Sequence, residues 1–188
     1  MMHVFNSDLP NVLTLTPRRF GDDRGWFSEV WNRDTLRKAG IDVDFVQDNH
    51  SLSRPVGTVR GLHYQAPPHA QDKLVRCGAG RVLDVAVDVR KGSPSYGKWV
   101  AVELSAENGK QLFIPKGFLH GFATLEPNSE LLYKCSDVYA PECDGSVRFD
   151  DPDIGIDWGV DLSQAVLSDK DRNAQSFADF NSPFTYEG

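Results

Sequence analysis

The run Gly57-Thr58-Val59-Arg60-Gly61-Leu62-His63-Tyr64-Gln65, the Pro67-Pro68 turn, and then Gln71-Asp72-Lys73-Leu74-Val75-Arg76 set the pattern for the whole chain. These twenty residues hold two Arg, two His, a Lys and a Tyr. They read as two strands joined by a short loop. Arg60, His63 and Lys73 are flanked by Val59, Leu62, Leu74 and Val75. Ionisable groups among apolar neighbours are partly buried, so they need partners or serve chemistry. In an unbroken strand Arg60 and His63 face opposite sides. Gly61 between them is the position for a bulge that re-aims one of the two.

Similar runs recur outward from this stretch. Downstream come Gly80 to Val89, Tyr96 to Ser105, Lys110 to Pro115, Phe118 to Leu125 and Glu130 to Val138. In Val82-Leu83-Asp84-Val85-Ala86-Val87-Asp88, a period of two puts Leu83, Val85 and Val87 on one face. Asp84 and Asp88 read as the polar opposite face. Gly92-Ser93-Pro94, Asn108-Gly109 and Pro127-Asn128 supply turns between the runs. Many short strands at this spacing indicate an antiparallel sandwich or barrel. Upstream, Leu9 to Thr16 is β-prone, Phe20 to Gly25 reads as a polar turn and Trp26 to Trp31 as a strand. Asn32 to Ala39 reads as a short helix, capped by Asn32 and ended by Gly40. Asp42 to Gln47 extends again, and Asp48-Asn49-His50-Ser51 reads as loop. In the tail, Ser168-Asp169-Lys170-Asp171 ahead of Ala174, Phe177 and Phe180 reads as a capped short helix packing on the barrel.

A length of 188 residues fits one domain spanning 1–188, with an N-terminal strand extension and a short helical tail. Hydrophobic residues at 40% and aromatics at 11% suffice for a sizeable core. No stretch approaches the roughly 20 apolar residues of a membrane span. Met1 to Asp8 carries neither a basic nor an apolar leader region, so no signal peptide is expected. Cys77, Cys135 and Cys143 make an odd set without a CxxC pair, which suggests free thiols in the cytoplasm. The net charge of −7 argues against nucleic-acid binding. It leaves room for a local cationic pocket built from Arg24, Arg60, Lys73 and Arg76.

Pro115-Lys116-Gly117-Phe118-Leu119-His120-Gly121-Phe122 has the pattern P-x-G-x-x-H. This resembles the second half-motif of cupins, small double-stranded β-helix barrels. A cupin metal site pairs that His with an H-x-H…E half-motif. The matching place here reads His63-Tyr64-Gln65, with no Glu on the expected strand. A divalent metal needs three or four converging ligands. Only His63 and His120 come from the barrel, so no metal is expected. Arg24 and Glu29 flank Trp26 and Phe27, and a cation beside aromatics suits an anion carried on a flat ring. A charged β-edge explains the same four residues equally well. Tyr133 and Lys134 are open to an ordinary strand reading, and Asp171 to a capping-box reading.

Taken together, these stretches resemble the dTDP-4-dehydrorhamnose 3,5-epimerase family. The resemblance rests on Phe20-x-Asp-x-Arg24-Gly25-x-Phe27-x-Glu29, Gln47-Asp48-Asn49, Arg60-Gly-Leu-His63-Tyr-Gln65 and Gln71-x-Lys73-Leu-Val-Arg76. It continues through Asp84-Val-Ala-Val-Asp88, Ile114-Pro-x-Gly-Phe-x-His120-Gly-Phe122, Tyr133-Lys134, Tyr139-x-Pro141 and Leu167-Ser168-x-Lys170-Asp171. It implies an all-β, cupin-type jelly-roll barrel with a few short helices, working as a homodimer without metal or organic cofactor. Trp26, Trp31 and their strand are the expected part of the dimer interface. The implied substrate is dTDP-4-keto-6-deoxy-D-glucose, inverted at C3 and C5. The implied base is His63, oriented by Asp171, with Tyr133 as proton donor on the other face and Lys73 beside the C4 carbonyl. Arg24, Phe27, Glu29, Gln47, Asn49, Arg60, His120, Tyr139 and Lys170 match substrate-contacting positions. Asp144-Gly145 stands where the family commonly has Glu-Arg, and Phe149 where Trp is usual. Asp144 keeps the charge with a shorter reach, so the departure bears on the nucleotide end.

The chemistry suits these residue types. A ketone acidifies its neighbouring C–H groups, and His has a pKa near working pH. A carboxylate can orient an imidazole, an ammonium can stabilise an enolate, and a neutral phenol can return a proton. Three other readings stay open: a single-centre epimerase or ketoisomerase, a metal-dependent cupin, and a non-catalytic sugar-nucleotide binding module.

Overall fold

Apolar residues such as Val82, Val85, Val87, Leu119 and Phe122 run along the central strands, and the pleat sends successive side chains to opposite faces. The computed structural model describes residues 2–188. Thirteen strands are β1 (Met2–Asn6), β2 (Leu13–Pro17), β3 (Arg19–Asp22), β4 (Gly25–Ser28), β5 (Gln47–Ser53), β6 (Val59–Gln65), β7 (Lys73–Ala79), β8 (Arg81–Asp88), β9 (Trp99–Ser105), β10 (Gln111–Ile114), β11 (Phe118–Thr124), β12 (Ser129–Cys135) and β13 (Asp144–Ser146). Helices α1 (Arg33–Lys38) and α2 (Asp169–Arg172) are short.

Two antiparallel sheets face each other in a jelly-roll barrel. The first runs β1-β2-β10-β7-β12-β5 and the second β13-β6-β11-β8-β9, while β3 and β4 form a separate hairpin. Apart from β1-β2 and β8-β9, neighbouring strands of the two sheets are non-consecutive in the chain, the mark of this topology. Between the sheets lies a core that includes Val75, Val82, Ala86, Leu104, Leu112, Ile114, Phe122 and Leu131. Each such aliphatic side chain contributes about 1.5–3 kcal/mol on burial. The outer face of the second sheet is covered by Phe149, Ile154, Ile156, Trp158, Phe180 and Phe184 from the C-terminal third. Helix α1 lays Leu36 against Leu15, Leu74 and Phe113 on the outer face of the first.

Several expectations need correction. Asp48 to Ser51 is strand rather than loop: β5 pairs with β12 from Ser53↔Ser129 to Gln47↔Cys135. Its turn-prone residues are tolerated because β5 is an edge strand with one side largely exposed. Asp84 and Asp88 are not a solvated strand face; both are fully buried. The covering tail buries the face that carries Val85 and Val87, and the barrel core buries the face that carries the two aspartates. Asp88 is satisfied by Arg90, Ser93 and Ser95. The helix at Asp169 ends at Arg172, and Phe177 and Phe180 pack on the barrel from irregular chain. Leu9 precedes β2 in a turn, and the strand expected over Trp26 to Trp31 stops at Ser28. Asn32 does cap α1, accepting from the Thr35 N–H at 3.1 Å.

Candidate active site

The bulge predicted at Gly61 is present. Strand β6 pairs with β11 as His63↔His120 and then Arg60↔Phe122, with a register shift between them. Three steps on one strand thus oppose two on the other. Gly61 has φ +135°, and a Cβ there would stand 2.6 Å from the Gly121 Cα and 2.9 Å from the His120 carbonyl. Only two glycines let the backbones approach this closely. His63 is thereby free to face an open cavity of about 240 Å³.

The cavity takes its walls from both sheets. Strand β6 supplies His63 and Gln65, β7 supplies Lys73, β12 supplies Tyr133, and β5 supplies Gln47 and Asn49. Its mouth is formed by Tyr139, Asp144 and Lys170. A larger cavity of about 600 Å³ lies under the C-terminal tail, lined by Pro68, Arg90, Lys116 and Tyr186 among others. There Arg90 is locked to Asp88 in a bidentate pair, and no acid–base partners converge.

His63 Nε2 lies 2.5 Å from Asp171 Oδ1. Asp171 is 3% exposed. The Ser168 hydroxyl accepts the Asp171 N–H at 3.2 Å and donates to Asp171 Oδ2 at 2.8 Å. Ser168 thus caps α2 through the Asp171 N–H, while the Asp171 carboxylate takes the Ser168 hydroxyl on one oxygen and faces His63 with the other. Burial pushes this carboxyl upward, but the His63 hydrogen bond and charge, with Ser168 and the Gly61 N–H, outweigh it. The net pKa lies below the ordinary carboxylate value.

Across the cavity, burial lowers the Lys73 pKa and is only partly opposed by Cys135, Asp84 and Asp144. Burial raises the Tyr133 pKa, opposed by Arg60 and by a hydrogen bond with Asn49. The Lys73 ammonium stands 6.0 Å from the Tyr133 ring centre. Lys134 points outward, pairing with Asp48 at 3.0 Å and lying over Trp31.

Other predicted site residues are placed differently. Arg60 Nε donates to Ser53 Oγ at 3.1 Å and Nη2 to the Leu52 carbonyl, beside the cavity rather than in its lining. His120 is buried behind the lining, with Nε2 at 3.0 and 3.1 Å from the two Asp84 oxygens. Arg24 and Phe27 sit in the exposed β3–β4 hairpin and Glu29 just after it, and none lines the cavity. Arg24 pairs instead with Asp22.

Gln65 carries a role not assigned from sequence. Its Nε2 donates to the His69 and Val138 carbonyls, and its Oε1 accepts the Ala140 N–H. It clamps the loop that presents Tyr139. The signal was available, since period two puts Gln65 on the side of His63. Gln71 braces the same loop through the Asp137 carbonyl at 2.8 Å. Among the described residues, no three His, Cys, Asp or Glu side chains are grouped to hold a metal ion. Nor, among these residues, is any helix long and apolar enough to cross a membrane.

Comparison with known proteins places this architecture. The family model for dTDP-4-dehydrorhamnose 3,5-epimerase matches residues 6–179. The chain is similar to the dTDP-4-dehydrorhamnose 3,5-epimerase of Sinorhizobium fredii, 50% identical over 185 residues, covering 98% of this chain and 94% of that one. It is 50% identical over 179 residues to that of Shigella flexneri, covering 95% and 97%. Among solved structures, it superposes with a TM-score of 0.95 and 41% identity on the dTDP-6-deoxy-D-glucose-3,5-epimerase of Legionella pneumophila in complex with dTDP-4-keto-L-rhamnose, covering 100% of both chains.

Proposed function

The chain belongs to the dTDP-4-dehydrorhamnose 3,5-epimerase family, and we propose that it inverts C3 and C5 of dTDP-4-keto-6-deoxy-D-glucose to give dTDP-4-keto-L-rhamnose. One observation carries this reading. A carboxylate-held imidazole, His63, stands on one sheet, while a half-buried phenol, Tyr133, and a half-buried lysine, Lys73, stand on the other, around one cavity. Inversion needs a base on one face of the sugar and an acid on the opposite face.

At each centre His63 takes the proton next to the C4 ketone. Asp171 stays ionised and balances the imidazolium that forms. The electron pair moves onto the C4 oxygen, where Lys73 faces the developing negative charge. One such donor is worth about 3 kcal/mol of barrier. Tyr133 returns a proton from the other side and regains its own from solvent, and His63 releases the proton it took to solvent before the next centre reacts. Protons and oxidation state balance at both centres.

The assembly we infer is a homodimer. Arg24, Phe27 and Glu29 match substrate-contacting positions but do not line their own chain's cavity. The hairpin before Glu29 leaves Phe20, Trp26 and Phe27 at least half exposed. A second copy that receives this hairpin explains both facts. The walls draw on segments from residues 47–171, so the chain works as one catalytic unit. Free thiols and a small nucleotide-sugar substrate fit a cytoplasmic enzyme.

Incubation with dTDP-4-keto-6-deoxyglucose in deuterated water tests the reading. The expected product carries two deuterons per sugar, at C3 and C5, by mass spectrometry. A single deuteron overturns the two-centre assignment in favour of single-centre chemistry, and none overturns the epimerase reading.

A further inference from the structure

Three chain segments meet at the cavity mouth on one atom. Asp144 Oδ2 is in contact with the Lys170 ammonium and lies 3.3 Å from the Tyr139 hydroxyl. Asp144 is delivered by β13, where it pairs in register with Gln65, two residues from His63. Lys170 comes from α2, next to Asp171. Tyr139 comes from the loop that Gln65 clamps. The Lys170–Asp144 pair is partly open, with side-chain exposures of 42% and 20%.

Among the described residues, two lysines line this cavity, Lys73 in its depth and Lys170 at its mouth. A diphosphate brings two anionic phosphoryl groups and seeks a cation where the nucleotide emerges. The one lysine placed there is already neutralised by a carboxylate. Gly145, next to Asp144, carries no side chain and so offers no second cation there, and a Cβ at that position would meet the end of the Tyr64 side chain.

We propose that Asp144 is a displaceable counter-anion for Lys170, holding the ammonium while the site is empty and yielding it to the diphosphate of the incoming nucleotide sugar. Asp144 and the phosphate compete for one cation. The competition weakens binding of the nucleotide end and speeds its departure, because the carboxylate recaptures Lys170 as product leaves. It also separates phosphate-dependent from base-dependent affinity, since thymidine alone does not need Lys170. This inference rests on the nucleotide-sugar reading above.

Titration calorimetry with dTDP and with thymidine tests it on the wild type, Asp144→Asn, Lys170→Met and the double variant. Asp144→Asn is expected to tighten dTDP about three- to tenfold, the range of a partly exposed charge-assisted contact, and to leave thymidine unchanged. In the Lys170→Met background the same change is expected to move dTDP less than about twofold, because the effect runs through Lys170. Stopped-flow release of dTDP is expected to slow by the factor that binding gains. Unchanged or weaker dTDP binding in Asp144→Asn overturns the proposal, making Asp144 a fixed orienting group. Equal tightening with and without Lys170 also overturns it, in favour of direct repulsion. A wild type that binds no dTDP overturns the nucleotide-sugar reading itself, which distinguishes the two failures.

Discussion

His63 Nε2 and Asp171 Oδ1 lie 2.5 Å apart although 108 positions separate them in the chain. A strand of the second sheet and a one-turn helix in the tail meet only because the tail wraps that sheet. Asp171→Asn keeps the shape and removes the charge that holds the imidazolium. The expected loss in kcat is about 10²- to 10⁴-fold, with dTDP affinity retained in calorimetry. His63→Ala is expected to abolish deuterium incorporation at both centres.

Burial moves Lys73 and Tyr133 in opposite directions, the lysine down and the phenol up. Burial thus brings deprotonation of Lys73 down from the ordinary lysine value of 10.5 towards the working range and moves that of Tyr133 away from it. The alkaline limb of kcat/KM therefore belongs to Lys73. Tyr133→Phe is expected to keep that limb in residual proton exchange, measured as tritium or deuterium wash-out. A limb that vanishes with the phenol would assign it to Tyr133.

Gly61 opposes Gly121 so closely that a methyl group cannot fit. Gly61→Ala is expected to cost about 1–3 kcal/mol in denaturant titration. The turnover of the folded fraction is expected to fall at least tenfold, since the same contact aims His63. Loss of stability with undiminished turnover would separate the bulge from the chemistry.

Asp88 is buried, which works to raise its pKa, yet Arg90, Ser93 and Ser95 hold it at about 2 against an ordinary 3.8. A depressed carboxyl stabilises the fold above its unfolded value, and that contribution fades as pH falls through the folded one. It amounts to about 2 kcal/mol at neutral pH. Asp88→Asn is expected to melt lower at neutral pH, and its gap from the wild type should narrow between about pH 4 and pH 2.

The hairpin prediction is a complementation experiment. An Arg24→Ala/Phe27→Ala chain and a His63→Ala chain are each impaired. If the hairpin of one copy serves the cavity of the other, mixed dimers contain one intact site, and activity reappears on refolding the two together. Activity no greater than the sum of the parents would return the hairpin to its own chain.

Local information alone determined much of this protein. Alternation placed the long strands β6 to β12, because a strand buried on one or both faces must match its side chains to the pleat. Asn32 and Ser168 marked two helix starts through capping chemistry that lies within four residues. The ordered motifs around His63, Lys73, Tyr133 and Asp171 identified the family, since residue type and spacing suffice for that. Tertiary structure decided what depends on contacts distant in sequence. Asp48 to Ser51 reads as loop in isolation, and pairing with β12 makes it strand. Asp84 and Asp88 look solvated until the barrel core and the tail-covered sheet bury both faces of β8. Asp171 is open in sequence to a capping-box and to a catalytic reading, and only the wrapping of the tail brings its carboxylate to His63 while Ser168 caps its N–H. The convergence of Asp144, Lys170 and Tyr139 on one oxygen was invisible in sequence, because three separate segments must fold before those charges meet.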